Sequence, residues 1–424
     1  MRGLIKKLAK RANGLRTVDV FTVAMPTVSY VPRSEVDDEL TDELERRDRV
    51  ICVVGPSKSG KTVAVKKLLP NSTLIVGQVG VKGGEIWRHL CAIGNVPLRH
   101  TEGLAGTLTA RGGPISAEQT REQYKEIDLD ARRAFIDFVK RSGSIVFDDF
   151  HYFELEAQQE ILQGLRQLLH DRIAIVIILT WYGEDQPALA ERDMLARMRF
   201  IRIPNWSKEE LRKILEKGFS ALNVKLSSDD TDEIVSRSFG NPLITQELGS
   251  FLCNTNEVKA RPTNPRRIEL GNPEVFVRSA VFRGGVAGDR ATFMQLIVGR
   301  TPPRERKEYR LRSGDAGDVY FLIFSALREL DVSSGIAYEA LRNWIKNNVE
   351  SAGPQGGQIT SALDGLGKTS RELVQSAQKA NRSRELPIDW RSDIRTIYVN
   401  DPFLKLYIKW SDWNQEYREI RKGW

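Results

Sequence analysis

The chain has 424 residues, of which 41% are hydrophobic and 28% charged, a composition typical of a globular protein with roughly two or three cores. Its three cysteines are widely spaced and its four histidines show no metal-ligand spacing, which argues against a disulfide framework or a zinc site. We therefore expect a reducing, cytoplasmic setting. The sequence has no run of about 18 apolar residues, so no membrane span is expected.

Basic residues exceed acidic ones, giving a net charge of +8 and an isoelectric point of about 9.3. The excess is concentrated in a basic N-terminal segment, residues 1–27, and in a second cluster between Arg300 and Arg312. The N-terminal segment lacks the apolar stretch and cleavage site of a secretory signal. Each cluster fits either a solvated surface or contacts to nucleic-acid phosphates, so DNA stays among the candidate partners.

Residues 28–206 alternate apolar runs with segments of helical periodicity, which predicts an α/β core in which helices cover a parallel sheet. Strands buried on both faces are predicted at 50–54, 73–76, 144–147 and 173–180, with a weaker strand at 200–203. Helices are predicted at 34–47, from the Gly-rich turn to about Leu69, and at 84–94, 129–141 and 154–170. The stretch 95–127, rich in Gly, Thr and Arg, is predicted to be a long functional loop.

The second half of the chain is predicted to be mostly helical. Residues 207–254 are predicted to form a helical lid that begins with a capping box, Ser207 and Glu210, and continues with helices at 228–238 and 242–252. Residues 255–317 are predicted to be a linker or irregular segment with one helix near 273–283.

Residues 318–424 are predicted to form a mostly helical C-terminal domain. Its predicted elements are helices at 319–330, 336–349 and 358–379, extended pieces near 386–390 and 394–399, and a last helix from Asp401. Three helices followed by a short hairpin is the order of a winged-helix domain.

The residues from Gly55 to Thr62 match the pattern G-x-x-x-x-G-K-[ST] between a predicted buried strand and a predicted helix. Gly55 and Gly60 let the backbone wrap so that several N–H groups converge on phosphates, while the following helix N-terminus adds positive partial charge. Lys61 is expected to neutralise the terminal phosphates, and the Thr62 hydroxyl to complete a magnesium shell. The expected cofactors are therefore ATP and Mg²⁺. The predicted nucleotide-binding residues of this P-loop are Gly55, Pro56, Ser57, Lys58, Ser59, Gly60, Lys61, Thr62 and Val63.

An apolar strand that ends in two carboxylates, Asp148 and Asp149, supplies the second half of the predicted site. We expect Asp148 to hold Mg²⁺ through its water shell, and Asp149 to orient and deprotonate the attacking water. Thr180 ends the next predicted strand, where it either contacts the terminal phosphate or the lytic water, or caps the following turn. His151 either senses the nucleotide or simply packs.

In this order of motifs the chain resembles the AAA+ and STAND ATPases. The nearest groups are the archaeal STAND-like ATPases, the origin-recognition initiator ATPases and the AAA+ regulators of transposons. Val31-Pro32-Arg33 resembles the segment that contacts adenine in these families, which implies nucleotide binding by Arg33. Arg197 or Arg199 resembles the arginine finger that reaches a neighbouring subunit's nucleotide.

Two further segments carry this resemblance. Phe239-Gly240-Asn241-Pro242-Leu243 resembles the G-x-P lid motif of STAND proteins, which implies a nucleotide contact from Pro242. The run Ile397–Tyr407 resembles the winged-helix terminus of archaeal STAND-like ATPases. The resemblance implies an ATPase whose nucleotide state controls self-assembly, so a homo-oligomer and a protein effector are the expected partners, in settings such as antiviral defence or mobile-element regulation.

Two other functions compete with this switch. A DNA-loading ATPase would hold duplex DNA through the basic clusters and the winged helix, whose candidate reading helix, 358–379, carries Thr360, Lys368, Thr369, Arg371 and Lys379. A nucleotide kinase or other phosphotransferase is the third alternative, although the winged-helix tail and the Gly-Asn-Pro lid sequence argue against it.

Overall fold

A computed structural model describes residues 14–22, 28–77, 84–97, 117–180, 196–283, 289–299, 306–380 and 386–423. The chain divides into two compact units. The sheet unit comprises residues 32–56 and 60–204, and the helical unit comprises residues 1–31, 57–59 and 205–424. Within the described ranges, no helix combines the length and the apolar character needed to cross a membrane.

The sheet unit is built on five parallel strands in the order β2-β3-β4-β1-β5. The strands are β1 (Val50–Gly55), β2 (Thr73–Val76), β3 (Ser144–Asp148), β4 (Ala174–Thr180) and β5 (Met198–Arg202). All five strands predicted from the apolar runs are therefore confirmed. Every residue of β1 is buried, because this strand lies between β4 and β5.

Helices cover both faces of this sheet. Val50, Cys52 and Val54 belong to one hydrophobic cluster, whereas Ile51 and Val53 belong to another, as the twofold periodicity of a strand requires. The first cluster is completed by the helices Ile86–Ile93, Ala117–Ser142 and Leu155–His170. The second is completed by the helices Ser34–Arg46 and Lys61–Leu68.

The helix Ala117–Ser142 corrects one prediction, since residues 95–127 were predicted to be a loop. Residues 117–128 read AEQTREQYKEID, in which Ala, Glu, Gln, Lys and Arg favour a helix although apolar residues are too few to reveal a periodicity. Residues 98–116 lie outside the described part of the chain.

The helical unit is organised around one hydrophobic cluster that runs from Val20 to Tyr417. The helices predicted for the lid are present as Lys208–Ala221, Ser228–Ser236 and Pro242–Thr255, close to the predicted bounds, and we refer to them as the lid helices. The predicted capping box is confirmed: Ser207 Oγ accepts from Glu210 N at 3.1 Å, and Glu210 Oε2 accepts from Ser207 N at 2.8 Å.

Residues 15–21, within the predicted basic N-terminal segment, contribute to this same core. The helix Thr17–Val20 leads to Phe21, which is buried and lies at a ring-centroid distance of 5.4 Å from Phe219. A Cβ atom at Gly218 would lie 2.4 Å from the Phe21 ring, and one at Gly249 would lie 2.8 Å from it. Phe21 therefore fills a slot that two glycines leave open between two lid helices.

The predicted linker, 255–317, contains more structure than its sequence suggested. The predicted helix is present as Pro273–Arg283, and a second helix, Asp289–Val298, places Phe293, Leu296 and Ile297 in the core. This second helix was missed because it is short and lies between glycine-rich and arginine-rich stretches. The segment also holds three two-residue strands: β7 (Arg266–Arg267), which pairs in parallel with β6 (Val224–Lys225), and the antiparallel pair β8 (Tyr309–Arg310) and β9 (Ala316–Gly317).

Arg306, one member of the second basic cluster, has a structural role. Its Nη1 lies 2.8 Å from Asp318 Oδ2, and Asp318 is fully buried. The guanidinium also lies 4.2 Å from the centre of the Tyr320 ring. Asp318 in turn caps the helix Val319–Glu329 by accepting from Phe321 N at 3.0 Å. This arginine is therefore committed to the core rather than to a solvated surface or a phosphate.

The C-terminal part has the element order predicted from the sequence. Its helices are Val319–Glu329, Tyr338–Asn348, Gly356–Lys379, Pro402–Trp410 and Trp413–Gly423. A small antiparallel sheet has the order β10-β12-β11, formed by Ile336–Ala337, Thr396–Val399 and Ile388–Arg391, respectively. The strand β10 and the final helix were not predicted separately from their neighbours.

Candidate functional site

The turn between β1 and the helix Lys61–Leu68 has the backbone that phosphate binding requires. Gly60 adopts a left-handed conformation with φ of 94°, and Lys58 has φ of 57°. Gly55 is tightly enclosed, since a Cβ atom there would lie only 2.4 Å from the carbonyl oxygen of Ile203. Alternating left- and right-handed residues turn successive N–H groups to the same side, and such a nest attracts anions.

Lys61 begins the helix and is buried. Its Nζ donates to the carbonyl oxygens of Pro56 at 2.7 Å and Gly55 at 3.1 Å. It also lies 3.4 Å from Thr180 Oγ1, at the end of β4. The structure thus brings together two residues that the sequence predicted for one site, although 119 positions separate them.

The two predicted magnesium ligands also meet. Thr62 Oγ1 donates to Asp148 Oδ2 at 2.9 Å, and Asp148 ends β3, which is hydrogen-bonded to β4. Asp149 follows with φ of 52°, and its N–H donates to Asp148 Oδ1 at 3.1 Å. Aspartate is among the few non-glycine residues that adopt this left-handed conformation readily.

His151 lies in the short helical turn Phe150–Tyr152 that follows Asp149. Its Nδ1 is 3.5 Å from Thr180 N, and its ring centroid is 4.2 Å from that of Tyr152. His151 therefore packs beside the end of β4, and its predicted alternative role as a nucleotide sensor stays a prediction.

The predicted arginines have different surroundings. Arg33 donates from Nη1 to the Pro204 carbonyl at 2.9 Å. Arg199 forms an ion pair with Glu39, with 2.7 Å between Nη2 and Oε1. Arg197 is half-buried and forms no ion pair with any residue in the described ranges.

The helical unit contains the three residues at the tip of the turn, Ser57–Ser59, which we call the P-loop tip. Trp206 Nε1 donates to the Ser59 carbonyl at 2.8 Å. Asn241 Nδ2 donates to the Ser57 carbonyl at 3.3 Å, and Asn241 Oδ1 caps the helix Pro242–Thr255. Pro242 is the first residue of that helix. Sequence analysis placed Asn241 in the lid motif but predicted no P-loop contact for Trp206 or Asn241.

These residues suit ATP with Mg²⁺. The Ser59 hydroxyl is buried and has no hydrogen-bond partner in the described structure, an orphaned polar group of the kind that a ligand satisfies. The described residues contain no cluster of three His, Cys, Asp or Glu residues that could hold a metal. Thr62 and Asp148 supply a hydroxyl and a carboxylate instead, and magnesium is typically bound by few protein oxygens together with water and substrate phosphates.

Comparisons with known proteins give structural likenesses at low identity. No family model matches the sequence, and no curated protein matches it. A Walker-type ATPase of Pyrococcus abyssi aligns with 92% of this chain and 99% of its own length, at 12% identity and a TM-score of 0.47.

Two other solved structures resemble the chain more distantly. The RuvB Holliday junction branch migration motor of Thermotoga maritima aligns with 65% of this chain and 80% of its own, at 14% identity and a TM-score of 0.35. A Signal Transduction ATPase with Numerous Domains (STAND) protein of Pyrococcus horikoshii, with a tetratricopeptide repeat sensor, aligns with 94% of this chain and 45% of its own, at 15% identity and a TM-score of 0.35. At identities and TM-scores this low, the likenesses do not by themselves assign a function to the chain.

Proposed function

We propose that the protein binds ATP with Mg²⁺ at the P-loop and hydrolyses it. The observation that carries this proposal is the contact between Thr62 and Asp148, whose oxygens lie 2.9 Å apart at the end of the parallel sheet. A hydroxyl at the start of a helix and a carboxylate at the end of a strand are the two protein ligands that a P-loop ATPase offers to magnesium. Chance placement of these two residue types would not bring them into contact beside the buried Lys61.

Each residue then has a chemical task. Lys61 exchanges the carbonyls of Gly55 and Pro56 for phosphate oxygens and neutralises their charge. Bound Mg²⁺ supplies further neutralisation of the phosphate charge. Asp149 accepts the proton of the attacking water, and the Thr180 hydroxyl orients that water or the terminal phosphate. Positioning and electrostatics account for most catalysis in phosphoryl transfer, so these few groups suffice.

We further propose that hydrolysis drives a switch of the AAA+ or STAND kind, which controls self-assembly into a homo-oligomer and engagement of a protein effector. Support comes from the P-loop tip, whose carbonyls accept from Trp206 and Asn241. Phosphate contacts at the tip would alter these hydrogen bonds and so bias the lid residues that donate them. Arg197 or Arg199 would act in a neighbouring subunit, and the motif resemblance is the support for this role.

DNA loading is the second candidate function, and the C-terminal elements favour it. Three helices with a three-stranded sheet of order β10-β12-β11 follow the winged-helix pattern. Lys368 and Arg371 are exposed and three positions apart on the helix Gly356–Lys379, so they share one face. Asp364 on the same helix accepts from Trp390 Nε1 at 3.0 Å, which partly engages its carboxylate.

The ATPase proposal is tested with Lys61→Ala and a matched control, Lys66→Ala, on the same helix. Lys61→Ala should weaken binding of a fluorescent ATP analogue by at least about 100-fold and abolish phosphate release, because the buried ammonium group faces the phosphates. Lys66→Ala should leave both unchanged, since Lys66 forms no ion pair in the described structure. Wild-type binding and turnover in Lys61→Ala would refute the site.

A further inference from the structure

A basic surface that sequence analysis did not single out is built on the parallel strands β6 and β7. We call it the basic ridge, and it consists of Lys225 on β6 and Arg267 on β7. Val224 pairs with Arg266, and Lys225 pairs with Arg267. Both side chains of the ridge are exposed, whereas Arg266, which is in register with the buried Val224, belongs to the opposite face of the strand pair.

Two like charges lie side by side in the ridge. Side chains paired in register on neighbouring strands lie on the same face about 5 Å apart, and like charges placed so oppose each other. This applies to Lys225 and Arg267. No carboxylate in the described ranges forms an ion pair with any residue of the ridge. Elsewhere in the same unit exposed arginines do have such partners, as in Arg278 with Asp412 and Arg290 with Glu416.

The backbone under the ridge is already ordered. Asn223 Nδ2 donates to the carbonyls of Pro262 at 3.1 Å and Thr263 at 3.3 Å. Arg266 N donates to Asn223 O at 3.1 Å, and Ile268 N donates to Lys225 O at 3.0 Å. These bonds fix the segment that carries the arginines, so a ligand would not have to order it.

Further hydrogen bonds hold the same segment in place without using the ridge side chains. Arg261, within the same segment, donates its guanidinium to the Ala221 carbonyl and so serves the fold. Thr17 N donates to Lys259 O at 3.0 Å, and Arg261 N donates to Leu15 O at 2.8 Å, which ties residues 15–17 to the other end of the segment. The ridge cations therefore sit on a rigid base.

We propose that the basic ridge binds the phosphodiester backbone of a nucleic acid without reading its sequence. Exposed cations that form no ion pair in the described ranges, side by side on a hydrogen-bonded strand pair, suit the phosphates of a nucleic-acid backbone. An acidic protein partner is less consistent, because protein interfaces have an apolar centre. None of the large exposed hydrophobic residues of the described chain belongs to the ridge segments 223–225 and 259–267.

The test uses the full chain with the double variant K225Q/R267Q and a control of equal charge, K208Q/K213Q, on exposed lid lysines. Binding of fluorescein-labelled duplex DNA is followed by anisotropy between 50 and 200 mM salt. If each lost phosphate contact removes about 0.9 from the slope of log affinity against log salt, the slope should fall by about 1.8. If variant and wild type bind equally at 1 M salt, this change in slope corresponds to a loss of affinity on the order of 100-fold at 50 mM and 10-fold at 200 mM.

The control should keep wild-type affinity and slope, and the midpoint of thermal unfolding of K225Q/R267Q should be no lower than that of wild type, because repulsion is relieved. Duplex RNA of the same sequence distinguishes the two nucleic acids, and tighter binding of either one supports the proposal. Three results would overturn it: no salt-sensitive binding by wild type, an unchanged slope in K225Q/R267Q, or equal ridge-dependent binding of poly-glutamate. None of these bears on ATP hydrolysis at the P-loop.

Discussion

The hydrogen bond from Trp206 to the P-loop tip gives a quantitative prediction for nucleotide affinity. Trp206→Phe removes the indole N–H that donates to Ser59 O at 2.8 Å and keeps an aromatic ring in place. The backbone N–H of Trp206, which donates to Gly240 O at 3.1 Å, is unaffected. The substitution is therefore directed at the side-chain bond to the phosphate-binding turn.

The expected magnitude follows from the environment of this bond. Ser59 is almost fully buried, so its carbonyl would gain little from water after losing its donor. A hydrogen bond of this kind is worth about 1 kcal/mol net. If ATP must then order the P-loop tip at its own expense, the dissociation constant rises about fivefold, by the conversion of 1.4 kcal/mol per factor of ten.

The assay is calorimetric or fluorescence titration of ATP with Mg²⁺ into the Asp149→Asn background, in which hydrolysis is expected to be slow. Trp410→Phe is the matched control, since the Trp410 indole N–H has no hydrogen-bond partner in the described structure. It should bind ATP as the parent does. If Trp206→Phe also binds within twofold of the parent, the tip is not held by this bond and the reasoning fails.

Three further outcomes are expected. Asp149→Asn should keep ATP bound but slow phosphate release by at least about 100-fold, because a general base is lost. Asparagine tolerates the left-handed backbone of this position, so the fold should be retained. Turnover within tenfold of wild type would exclude Asp149 as the general base. Arg197→Ala should lose the part of the ATPase activity that rises with protein concentration. Arg199→Ala breaks the ion pairs with the exposed Glu39 and the buried Glu43, so it should mainly lower the free energy of unfolding, by about 1 kcal/mol or more. The reverse pattern in activity would assign the finger to Arg199. Burial lowers the pKa of Lys405 to about 8, so Lys405→Met should raise the free energy of unfolding at pH 7 by on the order of 3 kcal/mol. This difference between variant and wild type should disappear between about pH 8 and 10.5, because there the folded wild type has released a proton that its unfolded chain still holds. A difference independent of pH would contradict the burial of a charged amine.

Much of the sheet unit could be predicted because its signals are local. An unbroken apolar run such as 50–54 indicates a strand buried on both faces, and the run is the central β1. The backbone conformation of the glycine-rich turn itself requires glycine, independently of the surrounding structure, and Gly60 accordingly has a left-handed backbone. For the same reason, the capping box at Ser207 was predicted from two residues three positions apart.

The remaining features depend on residues far apart in sequence. No local sequence feature distinguishes Arg306, whose side chain is largely buried, from the other arginines of its cluster, because its partners are Asp318 and the Tyr320 ring. The donors to the P-loop tip, Trp206 and Asn241, act across 147 and 184 positions. The position of Lys225 beside Arg267 likewise required knowledge of which short strands pair.

Phe21 has a practical consequence for anyone who shortens this chain. A protein that starts at residue 28, where the recognisable motifs begin, would lose an aromatic ring seated against Gly218 and Gly249. The two glycines have no side chains that could occupy the resulting cavity. Removing the side chain of a buried phenylalanine typically lowers the free energy of unfolding by about 3–5 kcal/mol. The nucleotide-binding motifs would all be retained, yet the lid helices would be left with a gap at their centre. Truncations intended to simplify the protein should therefore keep residues 15–21.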